Sequence, residues 1–180
     1  MACERSYRVT GAFRARGHDA WSCDIVNTDG DINYHIQDDV LNHLCEGWEM
    51  MIAFPPCTFL CVSGARWFDH PLYPNRRIDQ RRAVGFVLKL ASAPIEKIAI
   101  ENPVGILSSV WRRPDQIIEP YYFGDEASKR TCLWLKNLQP LRWGRDVQMA
   151  FNETRPPQTE VVGIGEHIIF RGGESYAEVV

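Results

Sequence analysis

Apolar positions along this chain alternate between helical and extended spacing through the first hundred residues. Val9, Ala12 and Phe13 recur at helical intervals up to Arg16, and Gly17 supplies a stop, so a helix is predicted over 9–16. Ala20 to Ile25 reads as a strand. The Asn-, Asp- and Gly-rich stretch 27–31 reads as a loop, 36–40 as a short extended piece, and 41–46 as a helix. Trp48 to Phe54 is the next strand, closed by Pro55 and Pro56, which force an extended exit and remove backbone donors.

An irregular segment follows from Cys61 to Asn75, long enough to cover a site. Ala83, Phe86, Val87, Leu90 and Ala91 mark a helix over 78–91, and Pro94 separates it from a strand over 97–100. Strand alternating with helix predicts an α/β fold with a mostly parallel, Rossmann-like sheet flanked by helices. Beyond Pro103 the chain is loop-rich, with a strand expected over 130–135. Arg155-Pro156-Pro157 reads as a linker or arm, and 161–170 as a hairpin broken by Gly163 and Gly165.

With 180 residues, 45% of them hydrophobic, one domain is expected, with a divergent tail from about residue 150. Six cysteines without a regular framework point to a reduced, cytoplasmic setting. No apolar run approaches the roughly 18 residues of a membrane span, and Met1 to Arg5 is not a signal-peptide start, so no membrane partner is expected. Twenty basic against 23 acidic residues, a net of −3, give no global pull on a polyanion. Nucleic-acid binding would then need a local basic face, for which Arg76, Arg77, Arg81 and Arg82 are candidates.

Two apolar runs end on reactive groups. Met50 to Phe54 feeds Pro55-Pro56-Cys57, and Ile98 to Ile100 feeds Glu101-Asn102-Pro103. Ligands collect outside the carboxyl ends of parallel strands, so thiol and carboxylate are expected to share a pocket. That pair suits covalent activation of an electron-poor ring: the cysteine attacks carbon while the acid manages a proton on ring nitrogen. Cys57 alone reads equally as a buried structural thiol, and Glu101 as an acid paired with an arginine. Asp24 closes the second strand, where an acid accepts ribose hydroxyls, and Asp38-Asp39 closes the third. The five histidines and the Cys57–Cys61 spacing form no ligand array, so no metal is expected. Walker and nucleophile-elbow motifs are missing too.

In order and content these pieces resemble the DNA cytosine-5 methyltransferases, in particular a compact, often phage-borne branch without a target-recognition domain. The likeness runs from about residue 9 to 138 and is carried by AFRARGHDAWSCD, PPCTFLCVSGARW, PIEKIAIENPVG, RRPDQIIEPYYFGD and KRTCLWLKNL. It implies that Cys57, supported by Pro56, attacks carbon 6 of a flipped cytosine while Glu101 and Asn102 hold its polar edge, with S-adenosylmethionine as methyl donor. The resemblance further implies cofactor contacts at Glu4, Asp24, Asp39 and Pro55, and substrate contacts at Ser63, Arg66, Lys129 and Arg130. DNA, duplex or single-stranded, is the implied partner, in the host cytoplasm if the chain is phage-encoded. Where the family places a Phe-x-Gly-x-Gly turn, this chain has Arg5-Ser6-Tyr7-Arg8. That difference motivates the alternative: a catalytically inactive homologue binding DNA or a host defence protein.

Overall fold

The computed structural model describes residues 1–68, 70–124, 129–142, 168–172 and 175–179. Ser22–Asp24 (β1) and His35–Gln37 (β2) pair in parallel, with Cys23 opposite Ile36. Met50–Ala53 (β3) and Lys97–Pro103 (β4) also pair in parallel, with Ile52 opposite Ala99. Ala2 joins the two pairs, because its backbone bridges in parallel to Cys23 on one side and Ala53 on the other. Ala2 N donates to Ile52 O at 2.8 Å, Phe54 N to Ala2 O at 2.9 Å, and Cys23 N to Met1 O at 2.8 Å.

Past β4 the direction changes. Gln116–Ile118 (β5) and Thr131–Lys136 (β6) pair antiparallel, and β6 also pairs antiparallel with β4, placing Asn102 opposite Cys132. The order across the sheet is therefore β2–β1–Ala2–β3–β4–β6–β5. Ile168–Gly172 (β7) and Ser175–Val179 (β8) form a separate antiparallel hairpin. The chain is thus mixed α/β: parallel in its first half, antiparallel in its second.

Among the described residues three α-helices accompany the strands: Arg8–Ala15 (α1), Arg76–Ala91 (α2) and Leu107–Val110 (α3). Apolar clusters cover both faces of the sheet. On one, α2 buries Val87 and Leu90 against Ile98, Ile100, Leu60 and Trp134. On the other, α1 buries Phe13 with Ala20, Ile52 and Ala99. Among the described residues no helix is long and apolar enough to cross a membrane.

Several expected elements shift. The helix predicted over 41–46 is only a 3-10 turn, Val40–Asn42. Its carbonyl-bearing end is diverted: the Trp48 indole donates to His43 O at 2.9 Å, and His43 is bonded through both ring nitrogens to Asp38 and Glu46. The strand expected to stop at Ile100 continues to Pro103, because β6 supplies a ladder that a single-sequence pattern does not show. β5 and α3 were not anticipated. The predicted hairpin lies later, at 168–179, while 161–167 and Arg155-Pro156-Pro157 fall outside the described residues.

Glu4, which follows the bridging strand, is 4% exposed and is turned onto the start of α1. Its carboxylate accepts from Val9 N at 2.6 Å, Thr10 N at 3.1 Å and Thr10 Oγ1 at 2.5 Å. A buried anion on the positive end of a helix satisfies otherwise orphaned N–H groups. We expect Glu4→Ala to cost roughly 2 kcal/mol, the scale of hydrogen bonds to a charged group. Urea unfolding would register this as a lower midpoint at unchanged slope.

Candidate functional site

The Cys57 loop is built by the exit of β3. Pro55 is buried, Pro56 is exposed, and the chain then doubles back in a tight turn in which Leu60 N and Cys61 N both donate to Cys57 O, at 2.9 and 3.0 Å. Two latches fasten this turn to the end of β4. Buried Asn102 donates through Nδ2 to Pro55 O at 2.7 Å. Further along, Ile106 N donates to Leu60 O at 2.8 Å, Val62 N donates to Val104 O at 3.2 Å, and Cys61 bridges Gly105. A Cβ on Gly105 would sit 1.9 Å from Leu60 O, so only glycine permits this approach.

The pleat sends Asn102 to the face of Ile98 and Ile100, and Glu101 to the opposite face with Ala99. Glu101 is half-buried, and loss of water pushes its carboxyl above the ordinary carboxylate range, with Lys129 acting in the other direction. Burial likewise pushes the Cys57 thiol up. Cys61 and Glu101 add to the rise, while Lys129 and the residue's own backbone amide oppose it. Cys57, Glu101 and Lys129 therefore lie within electrostatic reach of one another. Burial thus favours the neutral form of both groups relative to their exposed counterparts.

Such an arrangement can deliver a proton from Glu101 and, once deprotonated, a soft nucleophile from Cys57, both at the carboxyl ends of adjacent parallel strands. Asn102 Oδ1 is buried and has no partner among the described residues, so an acceptor remains open beside the loop. Gly105 and Leu60 are not among the site residues expected from the sequence; the sequence signal for Gly105 is a glycine three residues after Asn102, at the end of PIEKIAIENPVG.

The expected cofactor residues gather at the neighbouring strand ends. Cys3 is pushed up to about 12, first by burial and then by Asp24, with Asp39 contributing, which places both carboxylates around the end of the Ala2 bridge. Each acid spends Oδ1 locally: Asp24 accepts from Val26 N at 3.1 Å, and Asp39 caps the 3-10 turn through Leu41 N at 3.0 Å. Two acids at adjacent strand ends suit ribose hydroxyls and a heterocyclic amine, so this half of the site fits the nucleoside of S-adenosylmethionine. The other half is altered. Glu4 is committed to α1, and Tyr7 adopts φ 61°, a left-handed conformation that glycine takes freely. Its ring lies against Gly11 and Gly30, so closely that a Cβ on Gly30 would sit 2.3 Å from Tyr7 Cγ.

Of the expected substrate residues, Ser63 is exposed with Oγ 3.0 Å from Cys61 Sγ, Lys129 is exposed and electrostatically coupled to the site, and Arg130 pairs with Glu119 at 3.3 Å. The Arg66 side chain lies outside the described residues. All six cysteines are free thiols. Compared with models of known protein families, with curated proteins and with solved structures, the chain matches none.

Two outcomes follow from the electrostatics. Because the folded Glu101 carboxyl titrates above its unfolded value, the native state loses stability as pH rises from the ordinary carboxylate range through the raised one. Glu101→Gln is then more stable than wild type at neutral pH, and the gap closes in acid, as thermal melts across pH would show. Alkylation of Cys57 by iodoacetamide, followed by peptide mass spectrometry, should climb about tenfold per pH unit through neutrality, as a thiol with a pKa above neutrality requires. Lys129→Ala slows it at every pH below that plateau by removing the cation that opposes the rise.

Proposed function

We propose that this chain is a Rossmann-like methyltransferase that acts on cytosine in DNA, with Cys57 as nucleophile, Glu101 as proton-handling partner and S-adenosylmethionine as cofactor. The carrying observation is the juxtaposition of the Cys57 turn and Glu101 at the ends of β3 and β4, latched together by Asn102 and Pro55. The strand order supports it. Counting the Ala2 segment as the first strand, the order begins 3-2-1-4-5, the doubly wound pattern in which the ligand crevice opens at the switch between strands one and four. Cys3 and Glu4 stand on one side of that switch, and Phe54 to Cys57 on the other.

In this reading Cys57, having lost its thiol proton to solvent, attacks as thiolate and bonds through Sγ to carbon 6 of the cytosine. The electron pair of the carbon 5–carbon 6 bond moves into the ring as Glu101 gives its proton to nitrogen 3. Burial of Glu101 matters because it favours the protonated form that a general acid needs, relative to an exposed carboxyl. Asn102 fixes the Pro55 carbonyl and hence the direction from which sulfur approaches. When bound between Asp24 and Asp39, S-adenosylmethionine supplies the methyl group to carbon 5. The carbon 5 proton then leaves to solvent, nitrogen 3 returns its proton to Glu101, and sulfur departs as the double bond re-forms.

A second reading has a specific observation in its favour: with Tyr7 in the glycine conformation and Glu4 spent on α1, the methionine half of the cofactor meets an altered cradle. On this reading the chain is a non-catalytic binding module for DNA or a host protein. One experiment separates them. Incubation with labelled S-adenosylmethionine and cytosine-containing DNA is expected to give label on DNA, lost in Cys57→Ala and reduced at least a hundredfold in Glu101→Gln, as removal of a general acid does. No cysteine-dependent label, together with no calorimetric heat on cofactor addition, selects the binding module.

A further inference from the structure

The segment leading from the Cys57 loop into α2 carries a regularity that the chemistry above does not use. His70 N donates to Trp67 O at 3.3 Å, Tyr73 N to His70 O at 2.9 Å, and Arg76 N to Tyr73 O at 3.2 Å. Successive bonds at a spacing of three bring side chains of that spacing onto one face. Trp67, His70 and Tyr73 touch accordingly, with ring centroids 5.2, 5.8 and 5.8 Å apart for the three pairs. The Arg76 guanidinium ends the row, 5.8 Å from the Tyr73 ring and 5.4 Å from Phe68. It also lies 5.2 Å from Phe59 and donates to Thr58 O at 3.4 Å, so the stripe runs to the residue beside the nucleophile.

Charge follows the same line. Residues 76–82 carry Arg76, Arg77, Arg81 and Arg82 against one acid, Asp79, which pairs with Arg82 at 3.3 Å. Lys129 adds a cation within reach of Cys57. In a chain of net −3, this concentration of positive charge around one loop is complementary to a polyanion. Tyr73 remains 46% exposed and Leu72 76% exposed. Arginines interleaved with half-exposed aromatic rings form the standard surface for unpaired bases, whose faces stack on rings while phosphates meet the cations. A duplex hides its base faces, and this irregular segment is neither a helix nor a ribbon suited to a major groove.

We propose that the Trp67–His70–Tyr73–Arg76 stripe and the arginines opening α2 are the track on which single-stranded DNA lies when one of its bases enters the Cys57–Glu101 site. The inference rests on the methyltransferase reading for the identity of the site, and its test is read from binding alone. Fluorescence anisotropy with an end-labelled single strand of about twelve nucleotides, a length within known site sizes, measures affinity for the full chain over a salt series. Wild type is expected to bind with affinity that falls as salt rises.

Tyr73→Ala should weaken binding roughly tenfold by loss of one stacked base, while Tyr73→Phe, which keeps the ring, retains it. Arg81→Ala should weaken binding and flatten the logarithmic salt slope by about one phosphate contact. Lys89→Ala, at the far end of α2, should change neither. Matched melting temperatures of Tyr73→Ala and Tyr73→Phe make the affinity difference a binding effect. The proposal is overturned by binding indifferent to Tyr73→Ala and Arg81→Ala, or by duplex DNA or RNA of the same sequence binding as tightly as the single strand. Loss of label transfer with Tyr73-dependent binding intact would instead count against the methyltransferase reading and leave the track standing.

Discussion

The hydrogen bond from Asn102 to the Pro55 carbonyl, 2.7 Å long and buried, is the constraint on which the site depends. A proline-led loop leaving a strand has few backbone donors of its own, so its conformation must be imposed from outside. Asn102 imposes it from the adjacent strand, and the contact of Gly105 with Leu60 repeats the attachment a few residues on. Through these two contacts the position of a thiol on one strand end becomes a function of the position of a carboxyl on the next.

The latch divides labour between the two faces of β4. Asn102 points into the core packed by α2, where its amide is shielded, whereas Glu101 points to the other face, within electrostatic reach of the Cys57 thiol. The same shielding raises both reactive groups toward their neutral forms. Lys129 is the counterweight to both, and because it is exposed its influence is moderate. The same burial that favours a proton on Glu101 disfavours the thiolate of Cys57.

Between β1 and β3 the chain holds the two parts of its sheet together through very little backbone. Ala2 provides a single parallel bridge to each side, and Glu4, next but one, immediately turns to cap α1. Tyr7 adopts a left-handed backbone, φ 61°, that glycine takes freely, and its ring packs against Gly11 and Gly30. Two glycines thus create the room that one tyrosine ring occupies.

Local pattern alone specified α1, α2, β1 to β4 and the chemical identity of the Cys57 and Glu101 loops, because apolar periodicity, prolines and glycines act within a few residues. It misplaced what depends on partners distant in the chain. β4 outruns its apolar core to Pro103 because β6 pairs with it, the 41–46 helix yields to side-chain bonds from His43 and Trp48, and β5 has too short an apolar run to be seen. The sequence by itself determined which residues are reactive and that they end apolar strands. Only tertiary structure decided that Asn102 faces Pro55, that Gly105 must be small, that Glu4 is spent on a helix, and that Trp67, His70, Tyr73 and Arg76 form a row whose arginine reaches Thr58 O. Each of these is a contact between segments whose separation along the chain, or whose irregular backbone, leaves no periodic trace.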